Sequence, residues 1–197
     1  KSIDWPRLPV AAPGDTGAAP EVKPFALPEL PVSVNIGKIE AGRVTLGEAL
    51  FGQAAEISLS GALELAGGEG KATLSAQRID GPEGTLSLNG AYANASRELA
   101  LDLLVSEGED GIAANLIGLP GRPAITLAVA GTGPIDDFTS DIHLTTDDTP
   151  RLSGKVELRA VTAPDAAPGT PAERSFRAEL SGDIAPLLPP EYQDFFG

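Results

Sequence analysis

The stretch Glu56–Leu65, EISLSGALEL, alternates between apolar and polar residues along its length. Ile57, Leu59, Gly61, Leu63 and Leu65 fall on one side, and Glu56, Ser58, Ser60 and Glu64 on the other. A period of two is the side-chain period of a β-strand and cannot form a helical stripe. The glycine in the middle is the odd residue, because glycine weakens a strand and packs nothing. Yet Leu-Ser-Gly recurs at 152–154 and 180–182, with Leu88-Asn89-Gly90 a near copy and Val129-Ala130-Gly131 a looser one. Gly61, Gly154 and Gly182 share the parity of their apolar neighbours and so belong to the inner face. A glycine there either permits sharp curvature or leaves room for something to lie against the backbone.

Working outward, the same alternation recurs in VSVNIGKIE, in GRVTLGEALFG after a turn at Ala41-Gly42, and in KATLSAQRI, GTLSLNGAYA and RELALDLLVSE. It continues in AITLAVAG, SDIHLTTDD, PRLSGKVELRAV and ERSFRAELSGDI. About ten strands, with turn signals every 8–15 residues or so, predict an all-β fold. One segment, EDGIAANLIGLPGRP, reads as a short helix, with Asp110 as its cap and Gly118 and Pro120 as its stop. The final APLLPPEYQDFFG reads as a second, incipient helix. The glycines at 61, 90, 131, 154 and 182 are spaced too irregularly for a solenoid of fixed coil length and suit a meander with variable loops. Residues 1–31 carry seven prolines and read as an extended linker, with Trp5, Phe25 and Leu27 available to dock it. Residues 32–197 form the β unit, interrupted by a proline-rich loop at 162–173.

The core has to come from aliphatic residues, because aromatics make up only 5% of the chain and methionine is absent. A formal charge of -14 argues against nucleic acid and anionic membrane surfaces as partners. With no cysteine, disulfides and thiolate metal sites are excluded. No run approaches the ~20 apolar residues that span a bilayer. The charged, proline-punctuated opening KSIDWPRLP has no signal-peptide pattern, and the chain reads as a segment of a longer protein.

The chemistry of an enzyme is missing. His143, the only histidine, sits at a polar parity between Ile142 and Leu144, so His-cluster metal sites are excluded and a Ser-His-Asp triad would rest on this one residue. Asp136-Asp137 and Asp147-Asp148 lack calcium-loop spacing and read as turn acids. Gly131-Thr132-Gly133-Pro134 is not a phosphate loop, since no lysine follows and Pro134 removes an amide donor. The expectation is a non-enzyme without cofactor or metal. Strands with one dry side can close as a sandwich, as a barrel or as a curled trough.

Residues 111–158 carry, in order, Leu119-Pro120-Gly121-Arg122-Pro123, Gly131-Thr132-Gly133-Pro134, Asp137-Phe138 and Arg151-Leu152-Ser153-Gly154. This succession resembles the TamB family, the translocation and assembly module subunits of Gram-negative bacteria, in particular its alphaproteobacterial members. IGKIEAGRVTLGEALFG upstream and LLPPEYQDFFG at the end are similar to the same AsmA-like superfamily, so the resemblance spans residues 32–197. It implies a long, curled, antiparallel-rich sheet, β-helix-like and taco-shaped, with a greasy groove. It also implies a periplasmic location in a parent anchored in the inner membrane, the anchor lying outside this sequence. A TamA-like outer-membrane barrel of the Omp85 family would be met through another region. The implied work is phospholipid transport between the membranes and support of outer-membrane protein and autotransporter assembly, with phospholipid acyl chains as partners. The expected groove lining is Leu59, Leu63, Leu88, Leu101, Leu103, Leu127, Val129, Leu144, Val156 and Leu180. The alternatives are a chaperone-like β-scaffold offering sheet edges to nascent outer-membrane strands, or a structural or adhesin β-solenoid.

Overall fold

The computed structural model describes residues 25–161 and 173–189. The expectations for Trp5, for the linker up to residue 24, for loop residues 162–172 and for the tail from residue 190 lie outside them. The described chain is a succession of hairpins. Its strands are β1 (Val34–Leu46), β2 (Ala55–Ala66), β3 (Glu69–Arg78), β4 (Gly84–Ala93), β5 (Glu98–Glu107), β6 (Ile125–Pro134), β7 (Asp137–Thr146), β8 (Thr149–Val161) and β9 (Glu173–Ser181). Each pairs antiparallel with the next, giving one nine-stranded sheet in sequence order. The sheet does not close, and β1 and β9 are its edges among the described residues. The all-β expectation holds, and among the described residues helix is confined to α1 (Glu48–Phe51), α2 (Ile112–Leu116) and a 3-10 turn at Ala185–Leu187.

Local chemistry sets the hairpins. Gly67-Gly68 and Asp147-Asp148 each link strands as two-residue turns with both φ angles positive. This is the turn whose twist matches the flanking strands, and glycine and aspartate tolerate it best. Three expectations change. The end of GRVTLGEALFG is helix α1 and not strand. Ala41-Gly42 is not a turn, because β1 runs through it as one strand. Register shifts against β2 between Ile36 and Ile39, and between Ala41 and Val44, absorb the extra residues as bulges. Nine strands therefore replace about ten. The cap of α2 is Gly111 rather than Asp110, which takes φ +56 and donates its amide to the Arg122 carbonyl.

Because paired residues in an antiparallel ladder share a face, the registers place every alternating apolar set on the same side. One row across the sheet reads Leu59, Ala76, Leu86, Val105, Leu127, Leu144 and Leu152. The next reads Gly61, Leu74, Leu88, Leu103, Val129, Ile142, Gly154 and Leu180. The opposite face carries Ser60, Ser75, Ser87, Asp102, His143 and Lys155. Only six apolar residues among those described are buried, so this face is not the closed core of a sandwich or barrel.

The inward glycines are explained by their neighbours. At Gly154 φ is +156, and an added Cβ would collide with the backbone carbonyl of Glu179 and the Cα of Leu180 on β9. Gly182, at φ +146, would strike Arg151 in the same way. Here the sheet coils so tightly that one strand occupies the side-chain position of the next. Gly90 differs, with nothing within 4 Å of an added Cβ. Gly154→Ala should therefore destabilise the fold by about 2–4 kcal/mol, whereas Gly90→Ala should stay within about 1 kcal/mol of the parent. Urea unfolding of the two variants measures the contrast, and equal losses would refute the coiling account.

Candidate functional site

The alternating strands bring all ten expected lining residues onto one face. Leu59, Leu127 and Leu144 share the first row, and Leu88, Leu103, Val129 and Leu180 the second. Leu63, Leu101 and Val156 fall in a third row, where Ala72, Gly90, Gly131, Ser140 and Ala178 keep the surface low. Leu74, Leu86, Val105 and Ile142 complete the rows. Their alternation marked them too, but only the register shows that they lie between the others.

The ten residues are not equivalent. At one end of the strands, α2 and the turn after it cover the face. Ala114 is fully buried there, and Leu119, Ile125 and Leu144 are buried with it. Leu127, Leu152 and Leu187 pack against this cluster. Leu144 is thus a core residue beneath a plug, and Leu127 lies at the plug's margin. The helix is tied down by Glu107, whose Oε2 accepts the Ala113 amide at 2.6 Å, and by Asn115 Nδ2, which donates to the Phe51 carbonyl at 3.2 Å. At the other end Phe25 meets Tyr92 edge to face, with ring centroids 5.1 Å apart. Asn94 there accepts the Leu27 amide at 2.8 Å and donates to its carbonyl at 2.9 Å. Phe25 and Leu27 thus dock as expected. Between the two plugs, Leu59, Leu63, Leu88, Leu101, Leu103 and Val129 stay half-buried. No second sheet covers them among the described residues. At the β9 edge, Phe176 is 68% and Leu180 43% exposed.

Three charged residues share the parity of this face: Arg174 on β9, opposite Ala160, and two near the end covered by α2. One is Glu107, spent on the α2 amide. The other is Arg78, whose side chain is 7% exposed and whose Nε donates to Asp80 Oδ1 at 2.7 Å. This hydrogen bond holds the Asp80 carboxyl below its ordinary range. Among the described residues, Arg78 Nη1 is buried without a hydrogen-bond partner.

The polar face offers no converging chemistry. His143 is exposed between Ala128 and Ser153. The depression lined by Ser58, Ser60, Ser75 and Ser87 holds no cluster of titratable groups. Among the described residues, no three His, Asp or Glu side chains are arranged to hold a metal ion. Asp147 lies in a hairpin turn and accepts the Ala124 amide at 3.1 Å. Asp136 is clamped by Arg97, whose Nη2 donates to Oδ1 at 2.9 Å. Comparison with protein-family models, curated proteins and solved structures found no match.

The Arg97–Asp136 pair joins the β4–β5 and β6–β7 loops beside the Phe25 plug. The bond from Arg97 lowers the Asp136 pKa from its ordinary value, and the bond from Asp136 raises that of Arg97. A depressed carboxylate contributes stability that is complete above the unfolded value of about 3.9 and lost as pH falls through the folded one. Both partners are substantially exposed, so Asp136→Asn should cost only about 0.2–1 kcal/mol at neutral pH. It should also flatten the acid limb below about pH 4. Urea midpoints at neutral pH and at low pH test both parts.

Proposed function

We propose that this chain is a non-enzymatic groove segment of a periplasmic, TamB-like protein, shielding phospholipid acyl chains as they pass between inner and outer membranes. The observation that carries the proposal is the apolar face itself. It is continuous across the sheet, half-buried and held in register by the backbone. Nine strands at a spacing of ~4.8 Å extend it for roughly 40 Å, the scale of an extended lipid tail and more. Patches of this size on a soluble chain mark contact with something apolar. An acyl chain laid on the rows would gain about 0.8 kcal/mol per buried methylene without any specific contact. The low third row at Ala72 and Gly90 leaves room beside Leu101 for such a chain. The resemblance carried by residues 111–158 supports the same reading, with outer-membrane protein assembly served by the lipid supply. The TamA-like barrel would be met through a region outside this sequence.

The test uses a photo-crosslinking amino acid at Leu88, Leu103 or Val129, with Asn89 on the polar face as control, in cells expressing the protein. Phospholipid adducts are expected from the three apolar positions and not from Asn89. Native mass spectrometry of the purified chain should show co-purified phospholipid. Leu103→Asp with Val129→Asp should lower that lipid at least about tenfold, each buried charge opposing several methylenes' worth of burial, while the β-type circular dichroism persists. Adducts only to polypeptide would sink the groove reading in favour of a β-scaffold.

A further inference from the structure

The connection from β5 to β6 forms a lobe with a narrow neck. The Asp110 amide donates to the Arg122 carbonyl at 2.9 Å, and the side chains of the same two residues form an ion pair of 3.1 Å. Between these ties, α2 and the turn after it lie over the sheet. Few polar contacts hold the lobe down. Glu107 Oε2 accepts the Ala113 amide, Asn115 reaches the Phe51 carbonyl, and Gln53 Nε2 donates to the Asp110 carbonyl at 3.1 Å. The rest is packing of Ala114 and Leu119 with Ile125 and Leu144. That floor continues the apolar rows toward the strand ends, since Leu144 belongs to the first row and Ile125 follows Leu127 on the same face of β6. Leu116 and Ile117 on the lobe are both more than half exposed, so docking buries only part of its apolar surface.

We propose that this lobe is a displaceable lid over a further stretch of the acyl path, floored by Ile125 and Leu144; the inference rests on the groove reading above. Ala114 and Leu119 occupy the place where the apolar rows run on, so the lid and an acyl chain compete for one floor. Lifting α2 takes the Ala113 amide from the Glu107 carboxylate, and a carboxylate left unpaired beside an apolar chain is strongly disfavoured. Arg78 is placed to take it over. Arg78 and Glu107 flank Gly84, where an added Cβ would meet Arg78 Cβ at 3.2 Å, and Arg78 Cδ and Glu107 Cγ each at 3.6 Å. Glycine thus leaves the way between the two side chains open. Arg78 gives Nε and Nη2 to Asp80, while its buried Nη1 has no partner among the described residues. With the lid down, Glu107 serves Ala113 and Nη1 is left over, which opposes docking. With the lid up, the carboxylate turns to Nη1 and both charges are paired, at the expense of the burial of Ala114 and Leu119. An acyl chain on the floor restores that burial and so shifts the population toward the lifted state.

The sequence has no cysteine, so Ala114→Cys places a single thiol beneath the lobe, and its reaction with a small thiol reagent reports lifting. Ser140→Cys, buried on β7 four residues from Leu144, reports opening of the sheet itself. In the intact, lipid-free chain Ala114→Cys should react at least about tenfold faster than Ser140→Cys, because local opening costs less than global unfolding. Adding Arg78→Gln should slow Ala114→Cys about threefold or more, and Arg78→Lys should not, since it keeps a cation for Glu107. A mere loss of stability would speed the reaction instead. In a Glu107→Gln background Arg78→Gln should have no further effect, because the pair is already broken. Diheptanoyl phosphatidylcholine below its micelle concentration is the lipid probe, with a photo-crosslinker at Leu103 showing whether it lies on the face. It should raise the Ala114→Cys rate at least about threefold and leave Ser140→Cys no faster. Equal rates for the two thiols, no effect of Arg78→Gln, or a probe bound at Leu103 without faster reaction at Ala114→Cys would overturn the lid. A probe that never reaches Leu103 sinks the groove reading and the competition with it, a failure told apart from the others because the lipid-free rates do not depend on it.

Discussion

A sheet one layer thick has to satisfy two demands with few tools: its backbone must be paired, and its apolar face must be kept from water. The first demand is met strand by strand, each ladder joining only sequence neighbours. The second is met only in part. A buried leucine contributes about 1.5–3 kcal/mol relative to an exposed one, and the half-buried rows forgo a share of that. Stability is therefore close to a sum of neighbour interfaces, as in repeat proteins, with no central core to lose. A face held this way can stay open without unfolding the sheet, which a sandwich cannot do. The small cluster under α2 and the Phe25–Tyr92 contact anchor the strand ends and leave the middle free.

Coiling is the second consequence of the single layer. With no second sheet opposite it among the described residues, the sheet coils, and close backbone approach limits how far. Gly154 and Gly182 lie where adjacent strands come nearest. There the lack of a side chain is a geometric requirement, not reserved ligand space. Gly90 is the reverse case, an inward glycine facing open room. The Leu-x-Gly units, which look alike in sequence, thus divide between shaping the curve and lowering the floor of the face.

Period-two alternation was legible in the sequence because it is a local property, and so were the face assignments of Leu59, Leu103 and His143. What the sequence could not show was pairing. Ala41-Gly42 looks like a turn, and only pairing with β2 turns it into a bulge inside one long strand. Leu144 alternates like its neighbours, yet α2 folds over it and makes it core. That contact depends on a loop direction that no local pattern encodes. The charge alternation through Asp141, Lys155 and Glu179 spans three strands and emerges only once the registers are known.

The placement of charge bears on what the apolar face can recognise. The excess of acidic groups lies on the polar face and in the turns. Of the charged residues with apolar parity, Glu107 is occupied by the α2 amide, Arg78 is turned to Asp80, and Arg174 lies at the outer end of β9. Among the described residues of the three rows there is no charged side chain to read a headgroup and no aromatic residue, although the tip of the Phe138 ring lies beside Gly131. The rows consist of Leu, Val, Ile, Ala and Gly, with Ser140 as the polar exception. Such a surface distinguishes apolar from polar and little else, because dispersion and dehydration are nearly uniform along it. A site built for one ligand needs a few placed polar groups to set orientation. A path along which chains of differing length and saturation slide needs their absence, since each strong contact would be a point of arrest.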